Sequence, residues 1–140
     1  MRLITFISLL ILSFSCAGPK NASMKPNKLN GTWLPVTQEL GGVLLPKSVL
    51  ENQKLIINDS AYTVIAESID KGIVKYKDDK MDIYGKEGVN KGKHFSAIYK
   101  YENGELTVCY NLAGDSYPDA FATKGKPMYF LSVFKKEMIK

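Results

Sequence analysis

The chain has 140 residues, a net charge of +5 and a 45% hydrophobic composition. That is the length of one ordinary domain, enough for a single core without disulfide staples. Arg2 is the only arginine; every other basic residue is a lysine, dispersed among Asp and Glu. Readers of nucleic acid depend on arginine forks for phosphates and base edges, so the charge reads as a solvated surface and not as a nucleic-acid footprint.

The first segment is a leader and not part of the fold. Met1-Arg2 is a short positive start, residues 3–12 are apolar, and Ser13-Phe14-Ser15-Cys16 follows. This is the layout of a secretory signal over residues 1–15, too short to span a bilayer on its own. Cys16 stands at the cut and resembles the acylated cysteine of a bacterial lipoprotein; the alternative is a plain signal cut near Ser15 or Ala17. Acylation predicts an exported protein anchored to the bacterial cell envelope and facing the periplasm. The plain signal predicts a secreted soluble one. The lipid is then the only expected membrane attachment. Residues 16–28 lack periodicity and read as a tether. Cys109, left without a partner, reads as a small buried hydrophobe in a strand.

A domain is expected over residues 29–137. Asn30-Gly31 turns into a strand at 32–40 that begins with Trp33, and Pro35 marks an edge or a bulge. Gly41-Gly42 ends it, and residues 48–52 suit one helical turn in the connection to a strand at 53–57. A turn at 58–61 leads to a strand at 62–66, and Asp70-Lys71-Gly72 reads as the next turn. Strands at 73–76 and 81–84 flank Lys77-Asp78-Asp79-Lys80, and a glycine-rich loop spans 85–92.

Residues 95–110 give the clearest signal. Two runs rich in aromatic and β-branched residues flank Asn103-Gly104. A two-residue type I′ turn needs positive φ at both central positions, and Asn-Gly supplies it. The register then pairs Glu102 with Glu105, Tyr101 with Leu106, Tyr99 with Val108 and Ala97 with Tyr110. The six inner partners, Ala97, Tyr99, Tyr101, Leu106, Val108 and Tyr110, share one face, and Ser96, Ile98, Lys100, Thr107 and Cys109 take the other. The face with the longer aromatic row is expected to point inward. A loop at 112–119, a short strand piece at 121–123 and a last strand at 128–135 complete the chain. About eight short strands with turn signals and no helical periodicity predict an all-β fold, an antiparallel up-and-down β-barrel.

Several motifs carry a resemblance. They are Gly31-Thr32-Trp33, Asn90-Lys91-Gly92-Lys93, Ile98-Tyr99, Gly104, Leu106, Cys109-Tyr110, Pro118, Phe121 and the lysine-rich end of the last strand. Together they resemble a lipocalin-like domain family of uncharacterised bacterial exported proteins, numerous in planctomycetes, over roughly residues 29–137. Two positions depart from its pattern: Ala97 replaces a glycine, and residues 111–115 replace a proline-rich run. The resemblance implies a lipocalin-like barrel whose Trp33 plugs the closed end, and an exported compartment. It implies no activity and brings no functional residues.

No catalytic constellation can be assembled, so the chain is not expected to be an enzyme. His94 is the only histidine and lacks the companions of a metal site or a hydrolase triad. The register sets Ile98, and not His94, opposite Cys109. The carboxylates Asp78, Asp79, Asp82, Asp115 and Asp119 are scattered, without the pairing of a glycosidase or the spacing of a Ca²⁺ loop. No cofactor or metal is expected. The candidate ligand-binding residues are aromatic: Trp33, Phe95, Tyr99, Tyr101, Tyr110 and Phe130. They fill a core or line a pocket for a small hydrophobic ligand. The first expectation is non-enzymatic binding of such a ligand in the barrel. The alternative is an envelope interaction module, an inhibitor or immunity-type protein, that binds a protein partner through loops 85–92 and 112–120 at the open end.

Overall fold

A computed structural model describes residue 25 and residues 27–139. The expected leader, Cys16 and most of the expected tether lie outside the described residues. The elements, in order, are β1 (Gly31–Leu40), β2 (Val43–Leu44), α1 (Lys47–Leu50), β3 (Lys54–Asn58), β4 (Ala61–Ile65), β5 (Ile69–Lys77), β6 (Lys80–Glu87), β7 (His94–Glu102), β8 (Glu105–Asn111) and β9 (Tyr129–Lys136). From β3 onward each strand pairs antiparallel with the next, β1 pairs with β3, and β9 returns to β1. The result is the expected closed eight-stranded antiparallel barrel, with β2 a short addition to the end of β1. Closure leaves the long strands no open edge.

The central hairpin has the register read from its turn. Tyr99 faces Val108, Ala97 faces Tyr110, and Ile98 faces Cys109. Asn103 and Gly104 have φ of 52° and 77°, as the type I′ turn demands. The tyrosine face points inward: Ala97, Leu106 and Val108 are in the core with Leu55, Ile57, Val74, Met81, Ile83 and Phe134.

The turns at 58–61, 77–80 and 102–105 gather at one end with the segment before β1. Trp33 closes this end. It is fully buried, and its indole N–H donates to the Leu29 carbonyl at 2.7 Å. Tyr101 packs edge-on against it at 5.5 Å, and the Lys136 ammonium sits 5.4 Å from its ring. Asn27 already belongs to this closure, because its side chain donates to the Asp59 carbonyl at 3.0 Å.

Three expectations are corrected. The sequence Asp70-Lys71-Gly72 is not a turn but part of β5, and the chain reverses at 66–68 instead. Gly72 lies beside a β-bulge, where a Cβ would overlap the Tyr84 carbonyl and the Tyr62 ring. Its glycine marks close approach inside a sheet, not a reversal. Residues 121–123 form no strand. The loop expected at 112–120 runs on to residue 128, with only its ends, Leu112 and Met128, at the mouth. It lies as a strap on the outer wall.

That strap explains why the hairpin is apolar on both faces. Ser96, Ile98, Cys109 and Asn111 point outward yet are buried. Ser96 Oγ donates to the Gly114 carbonyl at 3.3 Å, and the Lys100 ammonium lies 5.1 Å from the Phe121 ring. The Thr123 hydroxyl donates to Glu39 and accepts from the Gly42 N–H at 2.8 Å. Burial pushes the Cys109 thiol above its ordinary pKa, so it is held as a neutral thiol under the strap.

Replacing Trp33 by Ala removes the plug from a site that cannot collapse. We expect a loss of about 3–5 kcal/mol in urea denaturation. A loss below about 1 kcal/mol would show that Trp33 does not anchor the closed end.

Candidate functional site

At the end opposite Trp33 the barrel opens into a cavity of about 680 Å³. Pockets for small molecules run to roughly 300–1,000 Å³. Val64, Ile83, Phe95, Tyr110 and Phe130 make its apolar wall, and Leu40, Leu112 and Met128 stand at its rim. Two smaller spaces continue inward and share Val64 and Tyr110 with it. One of about 170 Å³ reaches Gln38, and one of about 50 Å³ reaches Val74, Met81 and Leu106 in the core.

The sequence candidates divide between the two ends. Phe95, Tyr110 and Phe130 come together in the mouth cavity, with Tyr110 and Phe130 5.8 Å apart. Trp33 and Tyr101 pack on each other at the closed end. Tyr99 also lies toward that end, where its hydroxyl donates to the Asp78 carbonyl at 3.1 Å and its ring meets Tyr76 at 6.0 Å.

The polar groups of the cavity were not foreseen. Gln38 is buried, and its Nε2 donates to Gln53 Oε1 at 2.9 Å and to Ser132 Oγ at 3.3 Å. Gln53 Nε2 donates to the Val49 carbonyl at 2.9 Å, which orients both amides. Gln38 reaches the interior because a bulge between Pro35 and Thr37 resets the alternation of β1. Counted from Trp33 without the bulge, Thr37 and Glu39 would point inward instead. Ser132 needed no such correction, since it alternates with Phe130 and Phe134 on β9.

A second polar group braces the rim. Asp70 is buried and accepts from the Tyr62 hydroxyl at 3.1 Å, the Asn90 N–H at 3.0 Å and Asn90 Nδ2 at 3.1 Å. It clamps the 88–93 turn to β5. Gly88 lacks the Cβ that would strike the Ile69 carbonyl and Asp70. Lys93 follows this turn and borders the mouth.

Two tyrosines of the wall are held neutral. Burial raises Tyr62 well above its ordinary value of 10.0, and the charge and hydrogen bond of Asp70 raise it further. Burial likewise raises Tyr110, with smaller contributions from Tyr76 and Tyr62. A deprotonated phenol in this cavity would be stranded in a medium of low dielectric.

His94 lies outside the cavity, on the outer wall. Its Nε2 is 2.8 Å from Asp82 Oδ1, and its ring stacks on Tyr84 at 4.7 Å. The Tyr117 hydroxyl donates to Asp82 Oδ2 at 2.5 Å. Chiefly through that bond, and against some desolvation, the Asp82 carboxyl is held below the ordinary 3.8. The cluster fastens the strap to β6 and β7. Ser96 shares this face, but its hydroxyl is turned to the Gly114 carbonyl beneath the strap. Among the described residues no group of three His, Cys, Asp or Glu side chains is placed to hold a metal ion.

Two pH dependences follow from opposite signs. The raised phenols contribute stability that is complete below the unfolded value of 10.0 and is lost as pH climbs above it. Tyr110→Phe should therefore move the alkaline unfolding midpoint to higher pH in denaturant titrations between about pH 8 and 12; an unchanged midpoint would refute the burial of a neutral phenol there. The lowered carboxyl contributes above the unfolded value of 3.8 and is lost as pH falls through its folded value. Amide exchange in 112–128 should accelerate, relative to the barrel strands, as the pH drops into that range. Tyr117→Phe should produce part of the same acceleration at neutral pH. Exchange that stays level in both tests would detach Asp82 from the strap.

Comparison with protein-family models, curated proteins and solved structures returns no match to this chain.

Proposed function

We propose that this barrel binds one small, largely apolar molecule in its open end and releases it chemically unchanged. The mouth cavity of about 680 Å³, walled by Phe95, Tyr110 and Phe130, is the observation that carries this reading. Its volume suits a small ligand, its wall is mostly apolar, and few polar groups interrupt it. The Gln38–Ser132–Gln53 set, in which Gln38 and Ser132 are buried, and the Tyr62–Asp70–Asn90 set at the side would orient such a ligand. The wider proposal is an exported, lipocalin-like protein, tethered at the bacterial envelope through acylated Cys16. It rests on the leader at residues 1–15 and on the sequence motifs from Gly31-Thr32-Trp33 onward.

Binding of a protein partner through the open-end loops has less support. The strap at 112–128 is committed to the barrel wall through Ser96, Asp82 and Thr123, and the 88–93 turn is clamped by Asp70. Neither loop is left free to mould itself to a partner.

Native mass spectrometry of protein extracted from membranes, together with titration against a panel of lipids and apolar dyes, tests the proposal. One apolar molecule per chain is expected. Val64→Trp places a large ring where the three cavities meet and should weaken binding by about tenfold or more. Thermal unfolding and circular dichroism check that the variant folds, and Phe95→Ala, which enlarges the same wall, gives an independent change in affinity. Bare polypeptide and no binding to any probe would overturn the ligand reading.

A further inference from the structure

The interior of the barrel holds an acceptor without a donor. Gln38 is 4% exposed, and its Oε1 is closed to water and accepts no hydrogen bond among the described residues. The amide cannot relieve this by turning over. Gln53 Nε2 donates to the Val49 carbonyl, so Gln53 presents its Oε1 to Gln38 and requires the Gln38 N–H group on that side. Ser132 Oγ takes the second N–H at 3.3 Å. A buried acceptor has forfeited the bond it made with water, so a ligand that brings a donor to it gains affinity.

Gln38 borders the space of about 170 Å³, which shares Val64, Tyr110 and Phe130 with the mouth cavity. An apolar chain that enters between those three residues brings its leading end to Gln38. Leu45 and Lys54 border the same space and neither is buried, so either can give way as a head group reaches Oε1. The space also selects charge. Its one cation, the Lys54 ammonium, is paired with Glu137 at 2.9 Å, and none of its lining residues is an acid. A carboxylate there would face the negative end of the Gln38 carbonyl, and an ammonium would have no counter-charge. Either ion would lose its hydration without replacement. The charged groups Asp70 and Lys93 border only the larger cavity at the mouth.

We propose that the bound molecule is a neutral amphiphile, an apolar chain that ends in a hydrogen-bond donor such as an alcohol, and that it enters head first and donates to Gln38 Oε1. This rests on the reading of the mouth cavity as a ligand site and adds the chemistry and the direction of the ligand. Gln53 and Ser132 hold the Gln38 amide in place, and Gln38 meets the head. The tail then lies along Phe95 and Phe130 and ends near Leu112 and Met128 at the rim.

Displacement of a neutral naphthylamine dye at neutral pH compares four probes of one chain length: decanol, decyl methyl ether, decanoate and decylammonium. Only the dye signal that Val64→Trp abolishes is counted, which sets aside uptake by the apolar stretch at residues 3–12. The ether is more apolar than the alcohol, so burial alone ranks the ether first. The alcohol should instead bind about tenfold tighter than the ether, the effect of one donor brought to an unpaired acceptor. It should also bind severalfold tighter than either ion. Gln38→Met keeps the length of the side chain without the acceptor. It should remove the preference for the alcohol while the ether still binds, with circular dichroism and thermal unfolding as the check on folding. The comparison of alcohol with ether in the parent protein stands without the variant. An ether that equals or exceeds the alcohol, or a preference that survives in folded Gln38→Met, would overturn the proposal. Tightest binding of decylammonium would place the head at Asp70 and tightest binding of decanoate would place it at Lys93; either result would overturn it as well. Absence of binding by the dye and all four probes would instead remove the ligand site itself, and this proposal with it.

Discussion

The pairing of β1 with β9 is the constraint on which the rest depends. It turns a meander of hairpins into a closed barrel and gives every inward residue a fixed set of neighbours. Without it β1 and β9 would be open edges, and Trp33 would lie over the end of a sheet instead of stopping a tube. β1 carries a bulge between Pro35 and Thr37, just past the Gly31–Trp33 stretch that pairs with β3 and within the stretch that pairs with β9. That extra residue exchanges the faces of the strand halfway along. The lower half directs Trp33 into the plug, and the upper half directs Gln38 into the cavity. One irregularity thus separates the apolar floor from the polar set beside the pocket.

The barrel wall is two-sided along much of β7 and β8. Inward residues form the core, and outward residues are roofed by the strap. An antiparallel sheet with one wet face alternates cleanly between apolar and polar. This hairpin does not, because both faces are covered. The roof is held by polar anchors, namely Asp82 to Tyr117, Ser96 to Gly114, and Thr123 to Glu39 and Gly42. His94 and Cys109 both belong to this roof. Their chemistry is absorbed in fastening and filling it, outside the lumen.

The two ends of the barrel divide the labour. The plug end carries a buried indole with its N–H satisfied by Leu29 and its faces covered by Tyr101 and Lys136. The mouth sets Phe95, Tyr110 and Phe130 around the cavity and leaves large apolar side chains exposed at its rim. A barrel of this strand number can be filled by its own side chains or can hold a small ligand. Here the lower half is filled and the upper half is not.

The sequence by itself determined the barrel class and most of the strands, the central hairpin and its register, and the identity of the inward face. These follow from local rules: Asn103-Gly104 fixes the turn, the turn fixes the pairing, and a period of two fixes the faces. It also identified Phe95, Tyr110 and Phe130 as members of one aromatic group. Only the tertiary structure decided which aromatics border the cavity and which plug the other end, because alternation assigns a face and not a depth. Gln38 was hidden by the bulge that shifts its phase, and Asp70 by a glycine that reads as a turn but serves close packing in β5. The strap was hidden for a related reason. A loop's composition shows that it leaves the sheet, but the surface on which it lies is set by contacts with residues far away in the chain.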